Sequence, residues 1–281
     1  MHLIIFAWGF TGILGKLIHL DALIIVWYRL IIAFLALGFF LFFSKKTFQI
    51  DWNQGWKIVV VGIIVTAHWL TFYYAIQLST ASLGVLCLST TTLHVAWIEP
   101  LVKKRPFSWT EFLLSAVAIL GIFLIAGDFN PQETKAMYFG LLSALCAAMF
   151  PVFNAEISKT VSSTHITFYE LIVGFLFVTV LLLSQNGLTV EALQMTWSDF
   201  SWLLFLGIVC TSFAFLMTIE IVKRLGAFSV SLSINLEPVY TIILAILILN
   251  EHELLNFKFY IGAAVIVSVV LANAYKKGLK T

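Results

Sequence analysis

The residues that ask for a chemical explanation are the ionisable and hydrogen-bonding side chains set inside long apolar runs, because a charge at the centre of a bilayer costs about 2.5 to 3.5 kcal/mol on insertion scales. Glu237 is the most central acid. Ser233, Glu237 and Tyr240 follow i, i+4, i+7 spacing, which places them on one face of a helix. Pro238 has no amide to offer the carbonyl of Ile234, so a kinked, partly unsatisfied backbone is expected beside that acid. Such a carboxyl could anchor a ligand amine or load and release a proton; the plainer role is a structural glutamate bonded to a neighbouring helix. Arg29 either contacts substrate or a gate, or snorkels outward or pairs with a carboxylate. His68, Trp69, Phe72 and Tyr73 form an amphipathic aromatic stretch, and Thr90, His94 and Trp97 share a face one helix later. Histidine titrates near neutral pH, so His68 and His94 could relay protons, although histidines hydrogen-bonded between helices are commoner. Asn154, just after Pro151, and Asn235 could each hold a polar substrate group or join two helices. The candidate substrate-binding set is therefore Glu237, Ser233, Tyr240, Asn235, Arg29, Trp69, Tyr73, His94 and Asn154, with Glu237, Glu170 and His68 as candidates for proton coupling.

These residues must be positioned by membrane helices. The chain has 281 residues, 61% hydrophobic, 15% aromatic and only 11% charged, against about 25% charged in soluble proteins. So few charges cannot give a globule of this size a polar skin. A spanning helix needs about 20 apolar residues. Ten such runs stand between charged or Gly/Pro/Asn punctuation: Leu3 to Ile18, Ala22 to Phe43, Trp56 to Gln77, Thr80 to Ile98, Trp109 to Gly127, Ala136 to Ile157, Thr164 to Gln185, Phe200 to Val222, Gly226 to Leu249 and Leu255 to Tyr275. The first lacks a basic n-region and a small-residue cleavage site, and reads as a retained helix rather than a signal peptide.

Basic residues are held back on the cytoplasmic side of short loops. With the N-terminus inside, the cytoplasmic segments carry Lys45, Lys46, Lys57, Lys103, Lys104, Arg105, Lys159, Lys223, Arg224, Lys276, Lys277 and Lys280, and the outer ones only Lys16, Lys135 and Lys258. Both termini are then cytoplasmic, and the loops are too short for a catalytic or receptor domain. Glu99, Glu156 and Glu220 lie near cytoplasmic ends beside Lys103, Lys159 and Lys223, where interfacial pairing explains them.

The halves resemble each other. Trp27-Tyr28-Arg29-Leu30-Ile31 matches Phe168-Tyr169-Glu170-Leu171-Ile172, and Gly62-Ile63-Ile64-Val65-Thr66 matches Gly207-Ile208-Val209-Cys210-Thr211, at offsets of 141 and 145 residues. Five helices per half is an odd number, so the second copy enters the membrane from the opposite side. The expected fold is an all-α integral membrane protein of ten transmembrane helices in two inverted five-helix repeats, residues 1–128 and 136–276. Inverted repeats are common in secondary transporters, whose substrates bind near the midplane where the repeats meet.

Leu236-Glu237-Pro238-Val239, then Leu249-Asn250-Glu251, then Gly262-Ala263 and a closing apolar helix resemble the C-terminal repeat of EamA-like carriers in the drug/metabolite transporter superfamily; Trp8-Gly9 and Arg29 resemble its N-terminal repeat. The fourth helix departs from the pattern, with Leu93 where the repeat would place a proline and Glu99-Pro100 falling later. The resemblance implies export or exchange of small metabolites through a central cavity lined by helices one to four and six to nine, with five and ten peripheral, facing lipid or a second protomer of a homodimer.

The expected function is a secondary transporter that moves a small amphipathic or amino acid-like metabolite across the plasma (inner) membrane by alternating access, with export favoured by the resemblance alone. No cofactor or metal is implied. Cys87, Cys146 and Cys210 sit singly in apolar runs without CxxC pairing or metal-ligand spacing. A net charge of +2 points away from nucleic acid. There is no G-x-x-x-x-G-K-[ST] sequence for an ATP-driven pump, and a single intramembrane arginine argues against phosphate-bearing substrates. The alternative is an intramembrane lipid-modifying enzyme or lipid carrier. The enzyme would need paired acids, HExxH, an Asp-rich motif or a Ser/His arrangement, none of which is present.

Overall fold

The computed structural model describes residues 1–44, 52–126, 134–249 and 257–278. Among them every regular element is helical. Asn250 and Glu251 of the family-like motif, and Lys45, Lys46 and Lys280 of the orientation argument, lie outside the described residues.

The chain runs through α1 (His2–Leu17), α2 (Ala22–Phe43), α3 (Trp52–Leu78), α4 (Ala81–Leu88), α5 (Thr91–Lys103), α6 (Trp109–Ala126), α7 (Thr134–Ile157), α8 (Ser163–Ser184), a single turn α9 (Val190–Leu193), α10 (Trp197–Gly207), a π-helical stretch (Ile208–Phe213), α11 (Ala214–Leu225), α12 (Ala227–Ile234), α13 (Glu237–Leu249) and α14 (Phe257–Gly278). Among the described residues seven helical stretches are long and apolar enough to cross a membrane, and three shorter apolar helices accompany them. Leu35, Phe39, Leu176, Val180, Leu247 and Leu271 are more than half exposed on the outside of this bundle. Such a surface suits hydrocarbon rather than water, and the protein is a multi-pass membrane protein.

Two of the expected continuous helices are broken, each near its middle. The run expected from Thr80 to Ile98 divides into α4 and α5 at Ser89 and Thr90, although it has no proline there. Local hydroxyls do the work instead: Ser89 Oγ donates to the Val85 carbonyl at 3.0 Å, Thr90 Oγ1 to Cys87 at 2.8 Å and Thr91 Oγ1 to Leu88 at 2.5 Å. Ser and Thr side chains compete in this way with the backbone ladder and bend helices. The run from Gly226 to Leu249 divides into α12 and α13 at Asn235 and Leu236, just ahead of Pro238. Proline is tolerated in the first turn of α13, where its missing amide costs nothing, and Glu237 stands at the favourable, positive end of that helix. The two breaks are tied together, because Thr92 Oγ1 reaches both the Ser231 carbonyl and Asn235 Oδ1 at 3.1 Å.

Close backbone approaches set the crossings. A Cβ on Gly62 of α3 would lie 3.0 Å from the Glu170 carbonyl oxygen of α8, and one on Gly207 of α10 would lie 2.6 Å from Ile32 Cγ2 and 3.3 Å from the Arg29 carbonyl oxygen of α2. Only glycine allows helices this near. Substitution Gly207→Leu is therefore expected to destabilise by at least the ~1–3 kcal/mol typical of overpacking, seen as a lower Tm of the purified protein. A Tm equal to wild type would mean that α2 and α10 are not held together here.

The helices α6 and α14 pack on each other at the edge of the bundle, with Gly121 against Gly262 and Val265. Glu99, near the end of α5, is bound by Lys103 at 2.6 Å and Arg105 at 3.1 Å, and Arg105 reaches on to Glu111 of α6 at 2.5 Å. Glu156 pairs with Lys159 at 2.6 Å and Glu220 with Lys223 at 3.2 Å, the interfacial pairing expected of all three acids.

Candidate functional site

The helices line a small central cavity of about 60 Å³. Its walls come from α1, α2, α3, α7, α11 and the two broken helices, so both ends of the sequence contribute. An arginine and a glutamate face it. Arg29 of α2 is only 2% exposed and Glu237 of α13 only 4%. The guanidinium lies 4.2 Å above the centre of the Trp69 ring, a cation–π contact, and its Nε donates to Thr211 Oγ1 at 2.6 Å. Its Nη1 has no partner. Among the described residues Arg29 forms no ion pair; Tyr73, Cys210 and Glu237 are the groups near enough to act on it electrostatically. The fork geometry of a guanidinium suits a carboxylate.

The π-helical stretch explains why Thr211 can serve Arg29. Widening the turn lets Thr211 Oγ1 donate to Leu206 five residues back at 2.7 Å, and leaves the Cys210 carbonyl to accept from Trp8 Nε1 at 3.1 Å. Single π turns often mark functional sites for this reason. The rest of the wall is aromatic. Trp69 meets Phe215 edge to face at 5.9 Å, Phe215 meets Phe150 at 5.4 Å, and Phe150 stacks on His68 at 6.3 Å. His68 Nδ1 lies 2.8 Å from Ser143 Oγ, and Ser143 Oγ returns a bond to the His68 carbonyl at 3.0 Å. His68 thus lines the cavity while being tied to α7.

Of the residues expected at the site, the cavity brings together Glu237, Arg29, Trp69 and His68. The others on that segment lie off its wall. Ser233 turns back to the Ser229 carbonyl at 2.9 Å, and Ser231, whose hydroxyl has no partner, lines the cavity in its place. Tyr240 packs its Cβ against Gly9 of α1, its ring beside Phe6 at 5.9 Å, and its hydroxyl 3.1 Å from His2 Nδ1. The break puts Ser233 out of register with Glu237, and Tyr240, three residues beyond Glu237 in the same helix, packs on α1 and not on the cavity wall. Asn235 is occupied by Thr92, and Tyr73 is fully buried against Gly15 rather than on the cavity wall. His94 is half-buried and accepts from Trp97 Nε1 at 3.4 Å, outside the cavity lining. Asn154 and Glu170 pair with each other at 3.2 Å, also outside it.

Thr211, Thr91, Ser231, Phe150 and Phe215 were not expected at the site. Thr211 closes the Gly207-to-Thr211 stretch that matches Gly62 to Thr66, and Thr91 belongs to the run Ser89-Thr90-Thr91-Thr92. Both signals were visible in the sequence. The two phenylalanines had none that set them apart from the chain's 26.

Polar bonds tie the connection between α1 and α2 to its neighbours. Lys16 Nζ donates to the Ser79 carbonyl at 2.6 Å, Gln77 bonds both the Leu20 carbonyl at 2.8 Å and the Ala22 amide at 3.0 Å, and Asp199 holds the His19 amide at 3.0 Å.

Comparison with known proteins agrees with that geometry. The chain is 22% identical over 235 residues to the uncharacterized transporter YcxC of Bacillus subtilis (strain 168), covering 80% of this chain and 75% of that protein. It is also 22% identical over 275 residues to the uncharacterized transporter YoaV of the same organism, covering 95% and 93%. A solved crystal structure superposes with a TM-score of 0.76 at 12% identity over 95% of this chain and 93% of the other, a likeness of fold alone. The EamA-like transporter family itself matches residues 1–127 and again residues 134–274, which is nearly all of the sequence, and the chain belongs to that family of transporters.

Proposed function

We propose that this transporter carries a small zwitterionic metabolite with an apolar side group, of the amino acid kind, by alternating access across the inner membrane. The observation that carries the reading is the pair Arg29 and Glu237, buried, unpaired with each other and facing one chamber from α2 and α13. A carboxylate on the ligand would satisfy Arg29 Nη1, an ammonium would satisfy Glu237, and the Trp69, Phe215 and Phe150 rings would take the apolar part. The amino ends of α5 and α13 meet the same chamber at Thr91 and Glu237, as broken helices do at midplane sites in other carriers. A thermal-shift screen of the purified protein tests this, since a bound ligand stabilises by mass action. Amino acids with aromatic or aliphatic side chains are expected to raise Tm; a rise with cationic drugs or nucleobases only would contradict the zwitterion.

The proposal includes ten transmembrane helices in two inverted repeats, residues 1–128 and 136–276. The seven long and three shorter apolar helices agree in number, and the family matches the chain in two consecutive stretches. Matched residues also make matched contacts: Gly62 approaches the Glu170 backbone of α8 as Gly207 approaches the Arg29 backbone of α2. With both termini cytoplasmic, the end beside His19 and Gln77 is the outer one. Reporter fusions after Thr281 and near Asn130 are expected on opposite sides of the membrane, and the same side for both would exclude a five-helix half. The exposed flanks of α6 and α14 would face lipid or a second protomer.

A further inference from the structure

Glu170, Asn154 and Thr167 stand apart from the cavity, and nothing derived so far uses them. Each is at most 2% exposed. Asn154 Nδ2 of α7 donates to Glu170 Oε2 of α8 at 3.2 Å. Asn154 Oδ1, Glu170 Oε1 and Thr167 Oγ1 are all without a partner. Thr167 precedes Glu170 by one helical turn, so their side chains share a face of α8. Three unsatisfied oxygens from two adjoining helices in a dry interface are costly, and groups left this way call for an explanation such as an ion that the site holds in another state.

Among the described residues, the charged groups around the cluster have other partners. On the elements packed around α8, Arg29 is engaged with Thr211 and Trp69, His68 with Ser143, Glu156 with Lys159 and Glu220 with Lys223. Lys57 of α3 lies 6.0 Å from the Trp56 ring, and His165 on α8 itself bonds Ser162. Among the described residues, Asn154 is the side chain that bonds the Glu170 carboxyl. From the first half of the sequence, Gly62 of α3 lies directly against the Glu170 backbone. The cluster therefore sits on a seam between α3 and the α7–α8 pair, where relative movement of the helices would open or close it.

We propose that Asn154, Glu170 and Thr167 form a binding site for a monovalent cation, a proton or Na⁺, at the α3–α7–α8 seam and separate from the substrate cavity. A proton on Glu170 supplies the donor that the Asn154 carbonyl oxygen or the Thr167 hydroxyl lacks; Na⁺ is held by the same three oxygens with water completing its shell. That the ion drives transport rests on the carrier reading above, whereas its binding does not.

The test uses the purified full-length protein and no substrate, so it stands or falls independently of the flux assay. In a Glu237→Gln background, Tm is followed as Na⁺ replaces choline at constant ionic strength, and the infrared carbonyl stretch of protonated carboxyl groups is recorded at neutral pH. Na⁺ binding predicts a rise of at least about 5 °C at hundredfold saturation, abolished by Glu170→Gln. Proton binding predicts a carboxyl band that Glu170→Gln removes. Should that variant fail to fold, Thr167→Val takes its place, and the expected result is a Na⁺ response at least about tenfold weaker or a shifted band. No Na⁺ response together with no carboxyl band assignable to Glu170 would overturn the proposal.

Discussion

Substitution Arg29→Leu is expected to reduce substrate affinity about 10- to 100-fold while leaving the protein folded, because the leucine fills the apolar space over Trp69 and removes the cavity's one guanidinium. A hydrogen bond to a charged group contributes about 1.5–3 kcal/mol, and each 1.4 kcal/mol is about tenfold in affinity. Arg29→Lys is expected to recover only part of this, since a lysine ammonium cannot keep both the Thr211 bond and a forked hold on a carboxylate. Binding titrations on the three proteins, beside their Tm values, separate the cases. If Arg29→Leu lowers Tm by as much as it lowers affinity, Arg29 is a structural strut between α2 and the π-helical stretch.

The second large effect concerns Glu237. Glu237→Gln keeps the shape of the side chain and removes its ability to carry a proton. In sealed vesicles the variant is expected to retain substrate exchange at reduced affinity, with accumulation driven by a pH gradient lost. The measurement compares counterflow with gradient-driven uptake in the same preparation. If both persist at unchanged affinity, the carboxyl neither couples protons nor holds the ligand ammonium; if wild-type transport ignores pH, Glu237 has no proton role. Accumulation that survives Glu237→Gln but disappears in Glu170→Gln would move coupling to the α3–α7–α8 seam.

Most of the membrane architecture was legible because hydrocarbon leaves the sequence few choices: apolar runs of helical length, bounded by charge, can be little else. The interfacial pairs of Glu99, Glu156 and Glu220 were readable for the same reason, each acid having a lysine three or four residues on. Arg29, Glu237, Trp69 and His68 stood out as polar or amphipathic residues with no lipid-facing use, and the cavity collects them. What periodicity misled was the geometry past a break. Ser233 lies on the Glu237 face only if the helix is continuous, and across the break Ser231 lines the cavity instead, while Tyr240, in the same helix as Glu237, is held against Gly9. No proline marks the break in α4–α5, since Leu93 stands where the repeat would place one; three consecutive hydroxyls at 89–91 make it by capturing the carbonyls of Val85, Cys87 and Leu88. Phe150 and Phe215 became site residues only through packing of distant helices, which no local pattern encodes.

The most direct test of the central claim is uptake of radiolabelled amino acids into proteoliposomes that contain only this protein, preloaded with the same unlabelled compound. The account predicts saturable counterflow of at least one amino acid with an apolar side chain, and its loss in Arg29→Leu. Counterflow that Arg29→Leu leaves unchanged, or flux confined to compounds lacking either a carboxylate or an amine, would contradict it.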